Sequence, residues 1–303
     1  MGHLFRALNF IKCLEKHREK YVVILNDDDK AKTILKQKGI TFETADINDY
    51  AGDWETRLIR KYNLHAWIND RLDTERKHAE NVKKNKISHI TFDDCGTGSE
   101  LADINFGLMP CNYNNNLKGK IIKRGIDYFI VNEQVDKYKR KRRKMEKIVV
   151  TLGGSDTYGV TLKVAQAVRK LKLDITIIIG PSFQHQKELS SIAGNTIVVK
   201  NTVPSLIEEF YNYDLAITGG GITPFEANAS GLPCVIIANE PHEVLNGKFL
   251  EQSGSSIFIG YYTDADFSSI PFDKIDIQQM SAAGLNTINT KGAENIYNTI
   301  KNL

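Results

Sequence analysis

Hydrophobic and polar positions alternate in short blocks along the first half of the chain. Short apolar runs are typical of buried strands, and segments with a three- to four-residue repeat separate them. The predicted strands are 21–25, 41–45, 66–69, 89–92 and 126–131, with helices at 29–38, 53–62 and 74–84. This alternation predicts βαβ units and a parallel sheet.

The chain opens directly on a helical pattern, in which Leu4, Leu8, Ile11 and Leu14 recur every three or four residues. A Rossmann-type domain ordinarily opens with a strand that leads into a glycine turn. We therefore expect the first sheet position of the N-terminal domain to lack its strand.

The second half repeats the same scheme. The predicted strands are 147–152, 175–179, 196–199, 214–217, 234–238 and 256–259, with helices at 161–171, 204–210, from 224 onward, 243–253 and 291–301. We predict two doubly wound α/β domains that face each other across a cleft. The expected boundaries are an N-terminal domain at 1–135, a linker at 136–147, a nucleotide-binding domain at 148–285, and a C-terminal helix at 286–303 that crosses back to the first domain.

The composition is that of a globular protein, with 41% hydrophobic and 25% charged residues among 303. No apolar run approaches the roughly 18–20 residues needed to cross a bilayer, and no signal peptide is expected. Four scattered cysteines form no CxxC pair, and no His/Asp cluster has metal spacing, so we expect a cytoplasmic protein without a metal or other cofactor.

The net charge of +3 is unevenly distributed. Residues 148–303 hold 10 Lys and Arg against 15 Asp and Glu, whereas the remainder holds 30 against 22. Much of the surplus lies in the run 137–147. That run could attract anionic lipid or nucleic acid, but a solvated linker is the favoured interpretation and no nucleic-acid partner is expected. A peripheral membrane contact stays open.

The strongest chemical signal is the stretch 214–233. An apolar strand breaks into Gly219, Gly220 and Gly221, and a helix follows with Thr223 and Pro224 at its start. Free N–H groups and the positive end of a helix dipole would make an anion site here. Glu226, in the first helical turn, could accept hydrogen bonds from a ribose diol. The alternative is a tight βα turn that binds nothing.

Other candidates follow the same strand-end logic. His3 could transfer protons near neutral pH and Arg6 could hold a diphosphate, although a surface histidine on a frayed terminus is the alternative. The second turn, Gly153, Gly154, Ser155 and Asp156, offers donors to a pyrophosphate.

Three further strand-end or helix positions carry polar side chains. Asp94, in the pair 93–94, could orient a sugar or a water, with an ordinary Asx turn as the alternative. The segment 69–71 is equally ambiguous. Asn246 could reach the substrate from the helix that begins at 243, or it could be an ordinary helix-surface residue.

Several common motifs are absent. The sequence has no G-x-G-x-x-G, no GxxxxGK[ST] and no GxSxG. These absences weaken the interpretations as an NAD-binding protein, a P-loop ATPase and an α/β-hydrolase, respectively.

Six segments together resemble one protein family. They are GHLFRALNFI, TFDDCG, TLGGSDTYGVTLKVAQAV, TGGGITPFEANASGLP, NGKFLEQSG and NTKGAENIYNTI. The chain resembles the GT-B-fold hydrolases of pseudaminic acid synthesis that act on UDP-2,4-diacetamido-2,4,6-trideoxy-β-L-altropyranose, together with the SpsG-type spore-coat polysaccharide proteins. The block 218–254 also looks like the UDP-GlcNAc transferase that completes lipid II.

The resemblance implies a GT-B fold and a UDP-sugar substrate. In the hydrolase family the His of an opening G-x-G-H motif is catalytic, which implies that role for His3; Glu226 and Asn246 correspond to the family's nucleotide-binding Glu and following Asn. The strand and first glycine of that motif have no counterpart in this sequence. The leading expectation is hydrolysis of a UDP-linked acetamido sugar, and the alternatives are a GT-B glycosyltransferase or a non-catalytic nucleotide-sugar-binding protein.

Overall fold

The computed structural model describes residues 2–109, 116–154, 156–194 and 197–303. The chain divides into two compact units, the first formed by residues 1–130 with 291–303 and the second by residues 131–290. Every strand pair among the described residues is parallel. The predicted α/β class with parallel sheets is confirmed.

The regular elements are numbered in chain order. The helices are α1 (Gly2–Lys16), α2 (Asp29–Gln37), α3 (Trp54–Tyr62), α4 (Arg76–Lys83), α5 (Val160–Val168), α6 (Gln186–Ala193), α7 (Leu206–Phe210), α8 (Thr223–Ala229), α9 (Glu243–Gln252), α10 (Ile277–Thr287) and α11 (Gly292–Lys301). The strands are β1 (Val23–Leu25), β2 (Phe42–Thr44), β3 (Ala66–Asn69), β4 (Ser88–Phe92), β5 (Ile104–Gly107), β6 (Ile121–Arg124), β7 (Lys147–Thr151), β8 (Asp174–Ile179), β9 (Ile197–Asn201), β10 (Leu215–Gly219), β11 (Cys234–Ala238) and β12 (Ser256–Tyr261).

The first unit contains two sheets, β1-β2 and β3-β4-β5-β6. Helix α1 packs its apolar face on the larger sheet, where the Phe10 ring meets Phe92 edge-on with centroids 6.0 Å apart. Helix α11 packs against α1 and adds Ile296 to the same core. The two termini of the chain therefore share one hydrophobic core with β4 and β5.

The strand predicted at 126–131 is wrong. Ile126–Tyr128 forms a single 3₁₀ turn, and Phe129, Ile130 and Val131 are buried. Helix α11 lies so close to this segment that a Cβ on Gly292 would stand 2.0 Å from the Phe129 carbonyl oxygen. The apolar run is thus buried beneath a helix and takes no sheet position, whereas β5 and β6, which the sequence did not predict, complete the sheet.

The second unit contains a six-stranded sheet in the order β12-β11-β10-β7-β8-β9. Its centre consists of β7 and β10, whose residues Val150 and Ile217 lie opposite each other and are fully buried. The strand order reverses between these two strands. In open parallel sheets the carboxyl ends at such a reversal are where ligands bind.

The basic segment 136–147 is grouped with the second unit, and most of its residues are exposed, as expected for a solvated segment. Arg142 is fully buried, and its guanidinium donates to the carbonyl oxygens of Phe210 at 2.6 Å and Arg140 at 2.8 Å. Burial, reinforced by the charge of Arg140, lowers the pKa of Arg142 to about 9. Part of the basic run is therefore structural. In the part of the chain that the structure describes, no helix combines the length and apolarity needed to cross a membrane.

Candidate functional site

Four polar side chains meet at the carboxyl ends of β3 and β4 in the first unit. Asp70 follows β3 and Asp93 follows β4; because these strands are parallel neighbours, both carboxylates leave the same edge of the sheet. Arg6 of α1 bridges them, since Nη1 donates to Asp93 Oδ2 at 2.6 Å and Nε donates to Asp70 Oδ2 at 3.0 Å. With His3, one helical turn earlier, these residues form the histidine–carboxylate cluster.

His3 contacts Asp70 through one ring nitrogen, with Nδ1 2.7 Å from Oδ1. An ionised carboxylate only accepts hydrogen bonds, so the 2.7 Å contact favours a proton on Nδ1 with Nε2 as the basic nitrogen. Arg6 Nη2, which can only donate, lies 3.2 Å from the same Nδ1 and favours the opposite tautomer; the shorter contact to Asp70 is the basis for the assignment. The His3 side chain is 49% exposed, whereas that of Asp70 is 16% exposed. The pair is thus a base that solvent can reach, oriented by a largely buried carboxylate.

The charges of Arg6 and Asp70 stabilise each other despite their burial. Burial raises the pKa of Asp70, but hydrogen bonds and charge from His3 and Arg6 outweigh it and hold the pKa below its ordinary value of 3.8. Burial likewise lowers the pKa of Arg6, and contacts with Asp70 and Asp93 more than reverse that effect. Asp70 is therefore ionised at neutral pH and can accept hydrogen bonds from both His3 and Arg6.

Asp93 is fixed by the backbone around it. Its φ of 52° lies in the left-handed region, which Asp tolerates better than most residues. Its Oδ1 accepts a 2.8 Å hydrogen bond from Leu108 N, and its own N donates to Phe106 O at 2.8 Å. These contacts direct the remaining carboxylate oxygen to Arg6.

Asp94, the residue predicted to be catalytic, occupies a different environment. It is fully buried, its Oδ1 accepts from the backbone N of Thr74 at 3.0 Å and of Gly96 at 2.9 Å, and its Oδ2 accepts from the Thr74 hydroxyl. Both carboxylate oxygens are engaged in holding loops together. The structure therefore favours the Asx-turn alternative for Asp94.

A buried polar network continues behind the cluster. Asn69, which directly precedes Asp70, donates from Nδ2 to Thr74 Oγ1 at 3.2 Å and to His89 Nε2 at 3.1 Å. Burial, aided by the nearby His78, lowers the pKa of His89 to about 3, so His89 is neutral and its Nε2 can accept. The network fixes the segment from which Asp70 emerges.

The second candidate region is the glycine turn, residues 219–221, at the carboxyl end of β10 in the second unit. It is closed by α9, because Glu243 Oε2 accepts from Gly220 N at 3.1 Å and Asn246 Nδ2 donates to Gly220 O at 2.7 Å. A Cβ on Gly220 would stand 2.7 Å from Glu243 Cβ and 2.8 Å from its carbonyl oxygen. The glycine is needed for this close approach, and none of the three has a positive φ.

The start of α8 has backbone N–H groups that are not used within the helix. The first helical hydrogen bonds run from Phe225 and Glu226 to Ile222 O, at 3.0 and 3.2 Å. The N–H groups of Ile222 and Thr223 precede those bonds and so have no acceptor within the helix. Gly220 N, in contrast, already donates to Glu243. Glu226 lies half-buried in the first turn, and its role as a ribose-binding carboxylate stays a prediction.

Two buried acceptor atoms beside the glycine turn lack a partner among the described residues. They are Oδ1 of Asn246 and Oδ1 of Asn239. Buried polar atoms are normally hydrogen-bonded, and leaving one without a partner costs about 1–3 kcal/mol. Buried atoms without a partner among the described residues also occur in the first unit, for example Thr91 Oγ1 and Asn105 Oδ1, so these atoms by themselves do not indicate a bound molecule.

The turn after β7 is the second predicted contact with a pyrophosphate. The two carboxylate oxygens of Asp156 accept from Val160 N at 2.9 Å and Thr161 N at 2.8 Å at the start of α5. The carboxylate is therefore engaged within the protein, and a contribution of this turn to pyrophosphate binding through backbone donors stays a prediction. Gly153 has a φ of 98°, and a Cβ on Gly153 or Gly154 would meet nothing within 4 Å. Ser155 lies outside the described residues.

The sequence analysis placed Asp93 in the pair 93–94 and Asp70 in the segment 69–71, but it did not predict that these two carboxylates meet, although a usable signal was present. Each follows a predicted strand directly, and the two strands are consecutive along the chain. Consecutive parallel strands joined by a helix are usually sheet neighbours. The sequence could therefore have predicted that Asp70 lies close to a carboxylate of the pair 93–94. Only the structure shows that this carboxylate belongs to Asp93 and not to Asp94.

Comparisons with known proteins give the context of this geometry. The profile of a family described as "Protein of unknown function (DUF354)" matches residues 115–257. An uncharacterized protein of Methanocaldococcus jannaschii, MJ1062, is 25% identical over 301 residues, which cover 90% of this chain and 61% of that protein. The spore coat polysaccharide biosynthesis protein SpsG of Bacillus subtilis is 24% identical over 151 residues, covering 46% of this chain and 44% of SpsG. The chain thus spans less than two thirds of either relative.

Solved structures give a likeness over the whole chain. MurG of Acinetobacter baumannii matches with a TM-score of 0.75 and 13% identity, covering 100% of this chain and 96% of MurG. Anabaena HepE, solved in complex with UDP, matches with a TM-score of 0.69 and 11% identity, covering 100% and 97%. These likenesses show the fold, and the chain is a GT-B-like α/β protein with two Rossmann-type units.

Proposed function

We propose that the protein is a glycosyltransferase that uses a UDP-linked sugar as donor and acts in polysaccharide biosynthesis. The observation that carries the proposal is the oriented His3–Asp70 pair on a GT-B-like fold. The neighbour HepE binds UDP and the relative SpsG belongs to spore coat polysaccharide biosynthesis. Both support a nucleotide-sugar donor and a polysaccharide context.

The second unit holds the nucleotide in this proposal. The diphosphate lies on the N–H groups at the start of α8, next to Gly219, Gly221 and Thr223, where the helix dipole stabilises negative charge. Glu226 accepts from the ribose hydroxyls, and Asn246 keeps the glycine turn in shape through its bond to Gly220 O. The same donors stabilise the UDP leaving group as its charge develops.

The first unit supplies the base. Nε2 of His3 removes the proton of an acceptor hydroxyl while the hydroxyl oxygen attacks the anomeric carbon of the sugar. The bond between that carbon and the diphosphate oxygen breaks, and UDP leaves with the bonding electrons. Asp70 holds the imidazole and stabilises the imidazolium that forms. General-base catalysis by His3 is expected to contribute roughly 10²- to 10⁴-fold in rate.

Hydrolysis is the second candidate, with water in place of the acceptor hydroxyl. Its supporting observation is the exposure of His3, whose side chain is half open to solvent and whose Gly2-His3 opening resembles that of the pseudaminic acid hydrolases. The same base would then release a free acetamido sugar and UDP.

The two functions separate by product analysis. The purified protein is incubated with UDP-linked acetamido sugars, with and without hydroxyl acceptors, and UDP and sugar products are followed by ³¹P and ¹H NMR. UDP release that depends on the acceptor supports transfer, and free sugar without acceptor supports hydrolysis. Intact substrate under all conditions, while UDP still binds, would contradict both and leave a nucleotide-sugar-binding protein.

A further inference from the structure

A second polar cluster lies in the first unit, away from the strand ends, where α1 and α11 pack together. It consists of Cys13, His17 and Glu294. Nε2 of His17 is 2.8 Å from Glu294 Oε1 and 3.0 Å from Oε2, and Cys13 Sγ donates to Glu294 Oε2 at 3.5 Å. One ligand atom from each residue lies within 4.8 Å of the other two.

The three side chains are held in this arrangement by the helices. Cys13 and His17 are four residues apart, and His17 N donates to Cys13 O at 3.2 Å, so both occupy one face of the same turn. The ring of His17 stacks on Tyr297 of α11 with centroids 3.9 Å apart and planes 16° from parallel. This stacking fixes the imidazole with Nε2 towards Glu294.

The donor set and the spacing are those of a transition-metal site. Zinc binds thiolate sulfur at about 2.3 Å and imidazole or carboxylate atoms at about 2.0–2.2 Å. In a tetrahedron these bond lengths put neighbouring ligand atoms roughly 3.3–3.6 Å apart. The observed separations need only small side-chain adjustments to reach that range.

We propose that Cys13, His17 and Glu294 form a binding site for one divalent transition-metal ion of the Zn²⁺ class, with solvent as the fourth ligand. The side chains of His17 and Glu294 are 32% and 41% exposed, so an ion can enter from solvent, whereas Cys13 is buried. The site joins the first helix of the unit to its last, although their residues are 277 or more positions apart in the chain.

Metal binding requires that each of the three ligand atoms be free of a proton. Nε2 of His17 donates to the Glu294 carboxylate when no metal is bound, so coordination through Nε2 requires that proton to move to Nδ1 of the same ring. The carboxylate of Glu294, whose pKa is held below its ordinary value by the hydrogen bond from His17, then binds the ion in place of that proton. Cys13 binds as thiolate and releases one proton to solvent. The nearby Lys16, whose charge also lowers the pKa of Glu294, opposes the incoming cation.

Cobalt(II) titration of the whole chain tests the proposal, because Co²⁺ bound to a thiolate gives a near-ultraviolet charge-transfer band. We expect one Co²⁺ per chain with this band in the wild type and in the control Cys95→Ser, whose cysteine lies outside the cluster. Cys13→Ser should abolish the band. His17→Ala and Glu294→Gln should weaken binding at least about tenfold, since loss of an outer-shell partner alone costs 10- to 100-fold. Lys16→Gln should strengthen binding.

The proposal is overturned if folded wild-type protein shows no thiolate band, or if the band persists in Cys13→Ser. Equal affinity in the wild type, His17→Ala and Glu294→Gln would also overturn it. Circular dichroism monitors folding of each variant, and the wild-type titration with the His17 and Glu294 variants decides the outcome even if Cys13→Ser is unstable. The test measures Co²⁺ binding and not turnover. A negative result for the metal site therefore leaves the glycosyl-transfer proposal unaffected, and the reverse also holds.

Discussion

The two candidate regions present different chemical groups, charged side chains in the first unit and backbone N–H groups in the second. In the first unit, charged side chains converge at the ends of β3 and β4, and Arg6 holds Asp70 and Asp93 together. In the second unit, the backbone itself forms the surface, and Glu243 and Asn246 close the glycine turn from behind. Side chains with titratable atoms can move protons, whereas backbone N–H groups bind anions without titrating. This difference is the reason why the proposed function gives proton transfer to the first unit and nucleotide binding to the second.

The largest expected effect is on turnover, from His3→Asn. The asparagine amide can still donate to Asp70 from near the position of Nδ1, but no atom replaces the basic Nε2. We expect a loss of about 10²- to 10⁴-fold in kcat with unchanged UDP affinity, measured by UDP release and calorimetry. Full turnover in His3→Asn would show that His3 is not the catalytic base.

Gly220→Ala probes the backbone-built region. The new Cβ would stand 2.7 Å from Glu243 Cβ, and because α9 must move, we expect a loss of about 1–3 kcal/mol in the free energy of unfolding together with weaker UDP binding. Gly221→Ala is the matched control, since its Cβ meets only Glu243 Oε1 at 3.4 Å. Equal stability of the two variants in chemical denaturation would contradict the close-approach argument.

Asp70→Asn tests the charged cluster by pH. The folded pKa of Asp70 lies below 3.8, so its ionised form stabilises the fold above about pH 4, and this contribution is lost as the pH falls through the folded pKa. The difference in free energy of unfolding between wild type and variant should therefore narrow as the pH falls below about 4 and through the folded pKa of Asp70. Near neutrality, kcat should fall roughly 10- to 100-fold, as for outer-shell partners of functional histidines. A pH-independent difference would contradict the ionised pairing.

Asp156→Ala should have the smallest effect on function. The variant loses the cap of α5, which costs about 0.5–2 kcal/mol in stability, while UDP affinity and kcat per folded molecule should not change. Thermal unfolding and UDP calorimetry measure the two quantities. A tenfold loss of UDP affinity without a change in stability would indicate that Asp156 takes part in nucleotide binding.

Periodicity and glycine turns were enough to predict the α/β class and most of the regular elements. β3 and β11 match their predicted ranges residue for residue, because each is a short apolar run bounded by turn residues. Helices α6 and α10 and strands β5 and β6 were not predicted. Ile104–Gly107 is only four residues long, and its strand character comes from pairing with β4 and β6, which a local pattern does not encode.

The candidate site was only partly predictable for the same reason. His3, Arg6 and the glycine turn stood out by residue type and local spacing. The pairing of Arg6 with Asp70 and Asp93, which lie 64 and 87 positions away, depends on sheet order. Adjacent Asp93 and Asp94 take different environments because of the backbone conformation. The left-handed φ of Asp93 directs its carboxylate to Arg6, whereas the carboxylate of Asp94 is buried.

The division of roles between the units is tested most directly by measuring UDP affinity and turnover together in His3→Asn and Asn246→Leu. Asn246 is fully buried, and leucine, of similar size, cannot donate to Gly220 O. We predict that His3→Asn loses turnover and keeps UDP affinity, whereas Asn246→Leu loses UDP affinity. If His3→Asn weakens UDP binding as much as Asn246→Leu does, the assignment of proton transfer and nucleotide binding to separate units is contradicted.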